Sequence, residues 1–365
     1  MKILSIDMSV IFVASCILSF GAVGAILKLS RQNGWFDHVN ERKVHRGDIP
    51  RLGGLGFSVV FLLIATVIAF ITKNSVSVIH YLPCLGALLL ILVFGVYDDF
   101  RPLPSRYKLL IQIIAALIVI AFGFNFKQMF YFHTGILSGI WGYPITLLWI
   151  VGLTNAVNLI DGVDGLAGGV SVIIALFFGL IFFFHGINLQ ELLFCIALVG
   201  VLAGFLVYNA PIPKAKIFMG DGGSQFLGFL LALLPLLAPQ NTPAALPVPY
   251  AAALLMIPIF DTISAVLRRL RDGQSIASPD KAHIHHKLMN LGLNAQGVTM
   301  VLCSLQITLG VLVFISISLG GMASLYVLGA AYMTGTAFFV TIHFAYRAAM
   351  KKLQYHQTRL IIKSI

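Results

Sequence analysis

Apolar stretches of about 20 residues alternate with short polar segments along almost the whole chain. An α-helix of that length crosses the hydrocarbon core of a bilayer, whereas the strands of a membrane barrel would alternate apolar and polar residues over about 10 positions. The pattern therefore predicts an all-α fold, a polytopic integral membrane helical bundle. Its eleven predicted transmembrane helices cover residues 7–29, 52–73, 79–97, 106–124, 143–160, 163–184, 190–208, 223–238, 246–268, 298–320 and 323–347.

The composition agrees with a membrane protein. Of the 365 residues, 59% are hydrophobic and only 10% are charged, whereas a typical soluble domain has about 25% charged residues. We therefore expect residues 1–347 to form one integral membrane domain that also carries the functional side chains. Residues 348–365 are expected to form a basic tail.

The basic residues indicate the orientation of the chain. With the N-terminus outside, 21 of the 24 Lys and Arg residues fall on one face. Basic loops remain inside, so this face is predicted to be cytoplasmic, together with the C-terminus. The asymmetry explains most of the net charge of +11, and no nucleic-acid partner is expected. The predicted cytoplasmic loops are 30–51, 98–105, 209–222 and 269–297.

Two adjacent acids, Asp98 and Asp99, end the third predicted helix. An acid at the centre of a membrane helix costs about 2.5–3.5 kcal/mol, so acids near a bilayer favour a functional interpretation. If the helix continues through the pair, the two side chains point about 100° apart. They could then share a cation, or one could act as a base. The alternative is an ordinary helix end paired with Arg101 and Arg106.

Polar residues recur every three positions at the end of the fifth predicted helix, at Asn155, Asn158 and Asp161, and Asp164 follows them. Amide and carboxylate oxygens are ligands that suit magnesium. Polar contacts between two helices would explain one of the asparagines. They would not explain two asparagines, two aspartates and the neighbouring glycines together, so a functional site is favoured.

A third acidic position, Asp221, lies in a glycine-rich turn at the start of the eighth predicted helix. Free backbone N–H groups at a helix start attract phosphate oxygens, and Gly222 permits close approach. An aspartate at this position could hold a metal ion, or could be a helix cap.

The last long loop contains three histidines, His283, His285 and His286. Zinc is one interpretation, but no cysteine is available nearby to complete such a site. Donation to phosphate or sugar is therefore favoured. Asp261, in the ninth predicted helix, either lines a cleft or pairs with a residue between helices.

The predicted cytoplasmic face also carries bases that could contact phosphate. Lys108, at the start of the fourth predicted helix, faces the membrane boundary where a lipid phosphate would lie. The basic entry loop contains Lys43, His45, Arg46 and Arg51.

These segments, in this order from residue 43 to residue 287, resemble the polyprenyl-phosphate N-acetylhexosamine-1-phosphate transferases. The run His283-Ile284-His285-His286 is similar to the branch that uses UDP-N-acetylglucosamine. One departure is that Phe100-Arg101-Pro102 follows the Asp pair, without the further acid that some relatives carry.

The resemblance implies transfer of N-acetylglucosamine-1-phosphate, or a close N-acetylhexosamine-1-phosphate, from a UDP-sugar to undecaprenyl phosphate. The products are undecaprenyl-diphospho-sugar and UMP, in the first membrane step of a cell-envelope polysaccharide. The site would face the cytoplasm at a bacterial inner membrane and would use Mg²⁺, with Mn²⁺ as a substitute.

The resemblance also implies roles for individual residues. Asp98, Asp99 and Asp161 would be catalytic, and Asp221, Asn158 and Asp161 would hold the metal. The implied substrate-binding residues are Lys43, His45, Arg46, Arg51, Lys108, Asn155, Asp164, Gly222, His283, His285 and His286.

The residues leave two other questions open, the functional class of the protein and its oligomeric state. A secondary transporter is the main alternative, but its coupling residues would lie near the bilayer midplane, whereas most acids here lie at predicted inner helix ends. A homodimer is expected only because closed symmetric dimers are common.

Overall fold

The computed structural model describes residues 2–36, 49–72, 75–127, 140–184, 189–210, 214–238, 246–275 and 282–364. These residues form helices and one isolated β-bridge, between Phe36 and Pro50. The helices are α1 (Lys2–Asn33), α2 (Gly53–Ile71), α3 (Ser75–Phe100), α4 (Ser105–Ala121), α5 (Gly142–Ile160), α6 (Leu166–Phe184), α7 (Leu189–Asn209), α8 (Gly220–Leu237), α9 (Val248–Leu254), α10 (Met256–Arg271), α11 (Ile284–Asn290), α12 (Ala295–Leu319) and α13 (Gly321–Ser364).

The prediction of a polytopic all-α membrane bundle is confirmed. Within the described ranges, nine helices are long and apolar enough to cross a membrane, and the bent pair α9–α10 would be a tenth. The remaining predicted span, 106–124, forms α4, which has 17 residues. At 1.5 Å per residue α4 is about 26 Å long, slightly shorter than a hydrocarbon core of about 30 Å.

The ninth predicted span, 246–268, is interrupted, so the expectation of one continuous helix there was wrong. The chain bends by 88° between α9 and α10. Pro258 has no N–H group and cannot donate to the Leu254 carbonyl, as a continuous helix would require. Gln306 Nε2 donates to that carbonyl instead, at 2.8 Å. Because α10 turns away from α9, Asp261 does not lie in a straight span.

Two predicted non-helical segments also contain helix. The loop 269–297 includes the short helix α11, which carries two of the three histidines. Helix α13 is 44 residues long and continues through most of the segment predicted as a tail.

Helix α8 lies at the centre of the bundle. Every residue from Gly222 to Leu237 is buried, and α8 packs against α2, α3, α5, α6 and α7. A helix that is apolar on all sides is expected to be enclosed by other helices. The outer helices, in contrast, expose large apolar side chains such as Leu63, Phe70 and Leu148, as lipid-facing surfaces do. The start of α8 is therefore surrounded by the ends of its neighbours.

Glycines allow α2 and α3 to approach the start of α8. A Cβ atom added at Gly54 would lie 2.2 Å from the Cα of Gly223, and one added at Gly95 would lie 2.5 Å from the Cα of Gly222. The Gly54 N–H group also donates to the Met219 carbonyl, at 2.8 Å. The sequence interpretation assigned the close approach at Gly222 to a ligand, whereas in the structure α3 packs against this glycine.

We expect Gly54→Ala to lower the apparent unfolding temperature of the purified protein by several degrees, because the new methyl group meets backbone atoms of α8. Gly86→Ala is the matched control, since a Cβ atom there has no neighbour within 4 Å. Alanine in an open helical position is favoured over glycine by about 0.5–1 kcal/mol. Thermal unfolding of both variants in detergent checks this, and equal unfolding temperatures would contradict the packing argument.

Candidate active site

Lys108 joins two acids from different helices. Its Nζ atom donates to Asp221 Oδ2 at 2.7 Å and also forms an ion pair with Asp98. The second Asp98 oxygen accepts the Leu103 N–H group at 2.6 Å. The Asp98 side chain is 4% exposed, whereas that of Asp221 is 42% exposed. The ends of α3, α4 and α8 therefore meet at one charged cluster, whose Asp221 carboxylate is open to an incoming ligand.

Asp99 points to a different partner from Asp98, as expected if α3 continues through the pair. Its two oxygens accept the backbone N–H groups of Asp221 and Gly222, at 2.9 and 3.0 Å. Gly220 makes this possible because its φ of 76° is in the left-handed region, which favours glycine. The expectation that these two N–H groups are free for phosphate was wrong, because Asp99 occupies them.

Asn158 lies beside Asp221, as the sequence predicts. Its side chain lies close enough to interact with the Asp221 carboxylate, and its Nδ2 atom donates to Ser224 Oγ at 3.0 Å. The Ser224 hydroxyl in turn donates to the Gly220 carbonyl at 3.0 Å. Helix α5 therefore places an amide at the same end of α8 as the charged cluster.

Asn155 lies one turn further into the bundle than Asn158. Its Nδ2 atom donates to Gln112 Oε1 at 2.6 Å and to the Val151 carbonyl at 2.8 Å. Gln112 also donates to Gln225, at 3.0 Å. The sequence interpretation missed Gln112, although it is a polar residue in an apolar segment, four positions after Lys108, on the same helix face.

Asp161 ends α5 and lies close to other acids. Burial, followed by the charges of Asp221, Asp164 and Asp99, raises the pKa of this carboxyl well above its usual range. Within the described residues, this side chain has no hydrogen-bond donor. A cation beside Asp161 would relieve that repulsion.

Asp164 follows at the start of α6 and is held by the backbone. Its Oδ2 atom accepts the Ala215 N–H group at 3.2 Å, and its carbonyl accepts the Thr299 hydroxyl at 3.2 Å. It therefore connects the α5–α6 turn to the segment before α8 and to α12. A role in substrate binding remains a prediction.

The histidine segment packs against this same turn. A Cβ atom added at Gly162 would lie 2.4 Å from His285 Nε2. Burial, and then the neighbouring His286, lowers the pKa of His285 to about 3, so this imidazole is neutral near pH 7. Its Nδ1 atom is buried and has no hydrogen-bond partner among the described residues. His285 is therefore an uncharged ring that packs against the turn and has a buried nitrogen without a partner among the described residues.

The histidine segment also provides the hydrogen-bond partners of Asp261. Its Oδ2 atom lies 2.9 Å from His283 Nδ1, and its Oδ1 atom accepts the Ile284 N–H group at 2.8 Å. Of the two alternatives open from the sequence, pairing with a residue of another element is therefore confirmed.

The donor set is suitable for Mg²⁺ in chemical type and charge. The carboxylates of Asp161 and Asp221 and the amide of Asn158 provide hard oxygen atoms. Burial and the neighbouring acids raise the pKa of Asp161, so a cation beside it would favour its ionised form. In the described part of the chain, no three His, Cys, Asp or Glu side chains surround one point. The ammonium group of Lys108 instead lies between Asp98 and Asp221.

Some predicted site residues are placed elsewhere or not described. Lys43, His45 and Arg46 lie outside the described residues. The charge of Arg51 acts on Asp99, so this base lies near the start of α8. Gly222 is buried and contributes its N–H group to Asp99.

Comparisons with known proteins identify the family. The sequence model that describes glycosyl transferase family 4 matches residues 81–238. The chain is 35% identical over 298 residues to the "Probable undecaprenyl-phosphate N-acetylglucosaminyl 1-phosphate transferase" of Bacillus subtilis, covering 80% of each chain.

Two further relatives carry related names. The "Undecaprenyl-phosphate alpha-N-acetylglucosaminyl 1-phosphate transferase" of Escherichia coli K12 is 30% identical, over 80% of this chain and 78% of its own. The "Decaprenyl-phosphate N-acetylglucosaminephosphotransferase" of Mycobacterium tuberculosis H37Rv is 30% identical, over 81% of this chain and 79% of its own. The resemblance drawn from the motifs is thus confirmed, and the chain belongs to glycosyl transferase family 4, among its polyprenyl-phosphate N-acetylhexosamine-1-phosphate transferases.

Proposed function

We propose that this protein transfers N-acetylglucosamine-1-phosphate from UDP-N-acetylglucosamine to undecaprenyl phosphate, at the cytoplasmic face of a bacterial inner membrane. The observation that carries the proposal is the meeting of Asp98, Lys108 and Asp221, from three helices, at one end of the bundle. Asn158 and Asp161 of α5 lie at the same end. The names of the relatives support the substrates.

The reaction requires two phosphate-bearing molecules to meet. An oxygen of the lipid phosphate attacks the sugar-proximal phosphorus of the UDP-sugar, the bond from that phosphorus to UMP breaks, and UMP leaves with the electron pair. A phosphate monoester has its second pKa near about 6, so the lipid is largely ionised near pH 7. Positioning and charge neutralisation therefore matter more than a strong base.

The contacts of the Asp pair favour direct attack by the lipid over a covalent phospho-aspartate. Both oxygens of Asp98 are engaged, by Lys108 and by the Leu103 N–H group. Both oxygens of Asp99 accept N–H groups of α8. Neither carboxylate has an oxygen without a hydrogen-bond or ion-pair partner, which makes each a weaker nucleophile. Lys108, which is partly exposed, is the cation best placed to orient an incoming phosphate.

The donor atoms also support a divalent cation as cofactor. Asp221 would hold Mg²⁺, or Mn²⁺ in its place, with Asn158 or Asp161 beside it. When bound, such an ion neutralises charge on the diphosphate and on the leaving group. Asp221 combines a partly exposed carboxylate with a central position, which makes it the firmest ligand of the set.

A panel of UDP-sugars tests the proposed function. Purified protein is incubated with undecaprenyl phosphate, Mg²⁺ and UDP-N-acetylglucosamine, UDP-N-acetylgalactosamine or UDP-glucose, and UMP and lipid product are measured. We expect UDP-N-acetylglucosamine to give equal amounts of UMP and undecaprenyl-diphospho-sugar. UMP release that does not need the lipid, or no release with any sugar, would contradict the proposal.

A further inference from the structure

We propose that Asp261 is a positioning residue for the sugar-nucleotide side of the site, acting through His283. This inference rests on the proposed function and assigns a role to an acid that the charged cluster does not use. Asp261 is 1% exposed and belongs to α10, beyond the bend at Leu255. It lies 22 residues before His283 in the chain, so sequence spacing alone does not pair them.

The two oxygens of Asp261 have separate tasks. Oδ1 accepts the Ile284 N–H group at 2.8 Å and thereby fixes the beginning of α11. Oδ2 lies 2.9 Å from His283 Nδ1. Because an ionised carboxylate only accepts hydrogen bonds, this contact places a proton on Nδ1. The contact thereby fixes which ring nitrogen faces Asp261, and the other nitrogen, Nε2, faces away from it.

The His283 ring contacts the turn that carries Asp161 through His285. The rings of His283 and His285 are parallel within 4°, with centroids 5.9 Å apart. His285 in turn packs against Gly162, next to Asp161. Rotation of His283 would therefore disturb the packing of His285 on the α5–α6 turn. Partners that orient metal-binding histidines commonly matter by about 10–100-fold when removed, and we expect an effect of similar size here.

Asp261→Asn is the variant that separates orientation from folding. The amide oxygen of asparagine still accepts the Ile284 N–H group, so the start of α11 is kept. The amide nitrogen faces His283 Nδ1 as a donor and forces the proton to Nε2. We expect KM for the UDP-sugar to rise about 10–100-fold, with KM for undecaprenyl phosphate and the unfolding temperature nearly unchanged.

Asp272→Asn is the matched control, because this exposed acid at the end of the same helix pairs with Arg271. It should behave as the unsubstituted protein. The double variant Asp261→Asn/His283→Asn should lose no more than the larger single loss, since coupled residues are not additive. Equal effects of Asp261→Asn and Asp272→Asn, or additive losses in the double variant, would overturn the proposal.

A spectroscopic measurement tests the role of Asp261 separately from the proposed function. ¹⁵N-histidine NMR of the purified protein should show His283 protonated at Nδ1, and Asp261→Asn should move the proton to Nε2. An unchanged His283 signal in Asp261→Asn would overturn the inference even if transfer occurs. Absence of UMP release by the unsubstituted protein, with the tautomer shift present, would instead count against the proposed function.

Discussion

Asp221→Asn is expected to reduce UMP release by at least about 10³-fold while the protein remains folded and membrane-inserted. Asparagine keeps the size of the side chain but removes the charge that faces Lys108 and the open side of the cluster. Lys108 retains Asp98 as its ion-pair partner, so the ends of α3 and α4 stay together. The loss should therefore appear in turnover and not in folding.

The measurement is UMP release by purified protein with saturating UDP-N-acetylglucosamine, undecaprenyl phosphate and Mg²⁺. Asp272→Asn serves as the control, because it removes an acid that is about half exposed and forms an ion pair with the adjacent Arg271. Turnover of Asp221→Asn close to that of the control would refute the assignment of Asp221 to the reaction.

Lys108→Met is expected to reduce turnover by about 10²–10³-fold and also to lower the unfolding temperature. It leaves two neighbouring carboxylates, Asp98 and Asp221, without the cation that they share. Breaking a fully buried ion pair costs about 3–5 kcal/mol. The cost here should be smaller, about 1–2 kcal/mol, because Lys108 and Asp221 are partly exposed and water screens the pair.

Lys214→Met is the control, since this lysine is exposed and lies before α8. Mg²⁺ should raise the unfolding temperature of Lys108→Met more than that of the unsubstituted protein, because a divalent ion can replace the missing ammonium group. Thermal unfolding with and without Mg²⁺, together with UMP release, checks both effects. Normal turnover of Lys108→Met would show that the shared cation is not needed.

The structure divides the four central acids into different tasks. Asp98 is buried and holds Lys108, whereas Asp99 binds the start of α8. Asp221 is partly exposed, and burial, followed by the charges of neighbouring acids, raises the pKa of Asp161. The sequence assigned these acids jointly to catalysis and metal binding, and those roles remain a prediction. Of the four, Asp221 and Asp161 are the ones that we propose as metal ligands.

The hydrophobic pattern was sufficient to predict the helices, because burial in lipid requires long apolar segments. It also placed Asp98, Asp161 and Asp221 at helix ends. It could not reveal the bend at Leu255. Pro258 is visible in the sequence, but the Leu254 carbonyl that it leaves free is satisfied by Gln306, from a distant helix. Periodicity gives no information about such a contact.

The same reason explains why the partners of Asp99 and Asp261 could not be predicted. Asp99 faces α8 only because Gly95 and Gly222 let two helices cross closely. Asp261 meets His283 only because α10 turns away from α9. A sequence shows which residues can carry charge, while helix crossings decide which of them meet.

Binding of Mn²⁺ to the purified protein, followed by electron paramagnetic resonance, tests the central claim most directly. We expect one tightly bound ion per chain, with hyperfine coupling to phosphorus when UDP is added. Asp221→Asn should lose that ion, whereas Asp272→Asn should keep it. Unchanged Mn²⁺ binding in Asp221→Asn, or no phosphorus coupling in the unsubstituted protein, would contradict a metal site formed by these converging helix ends.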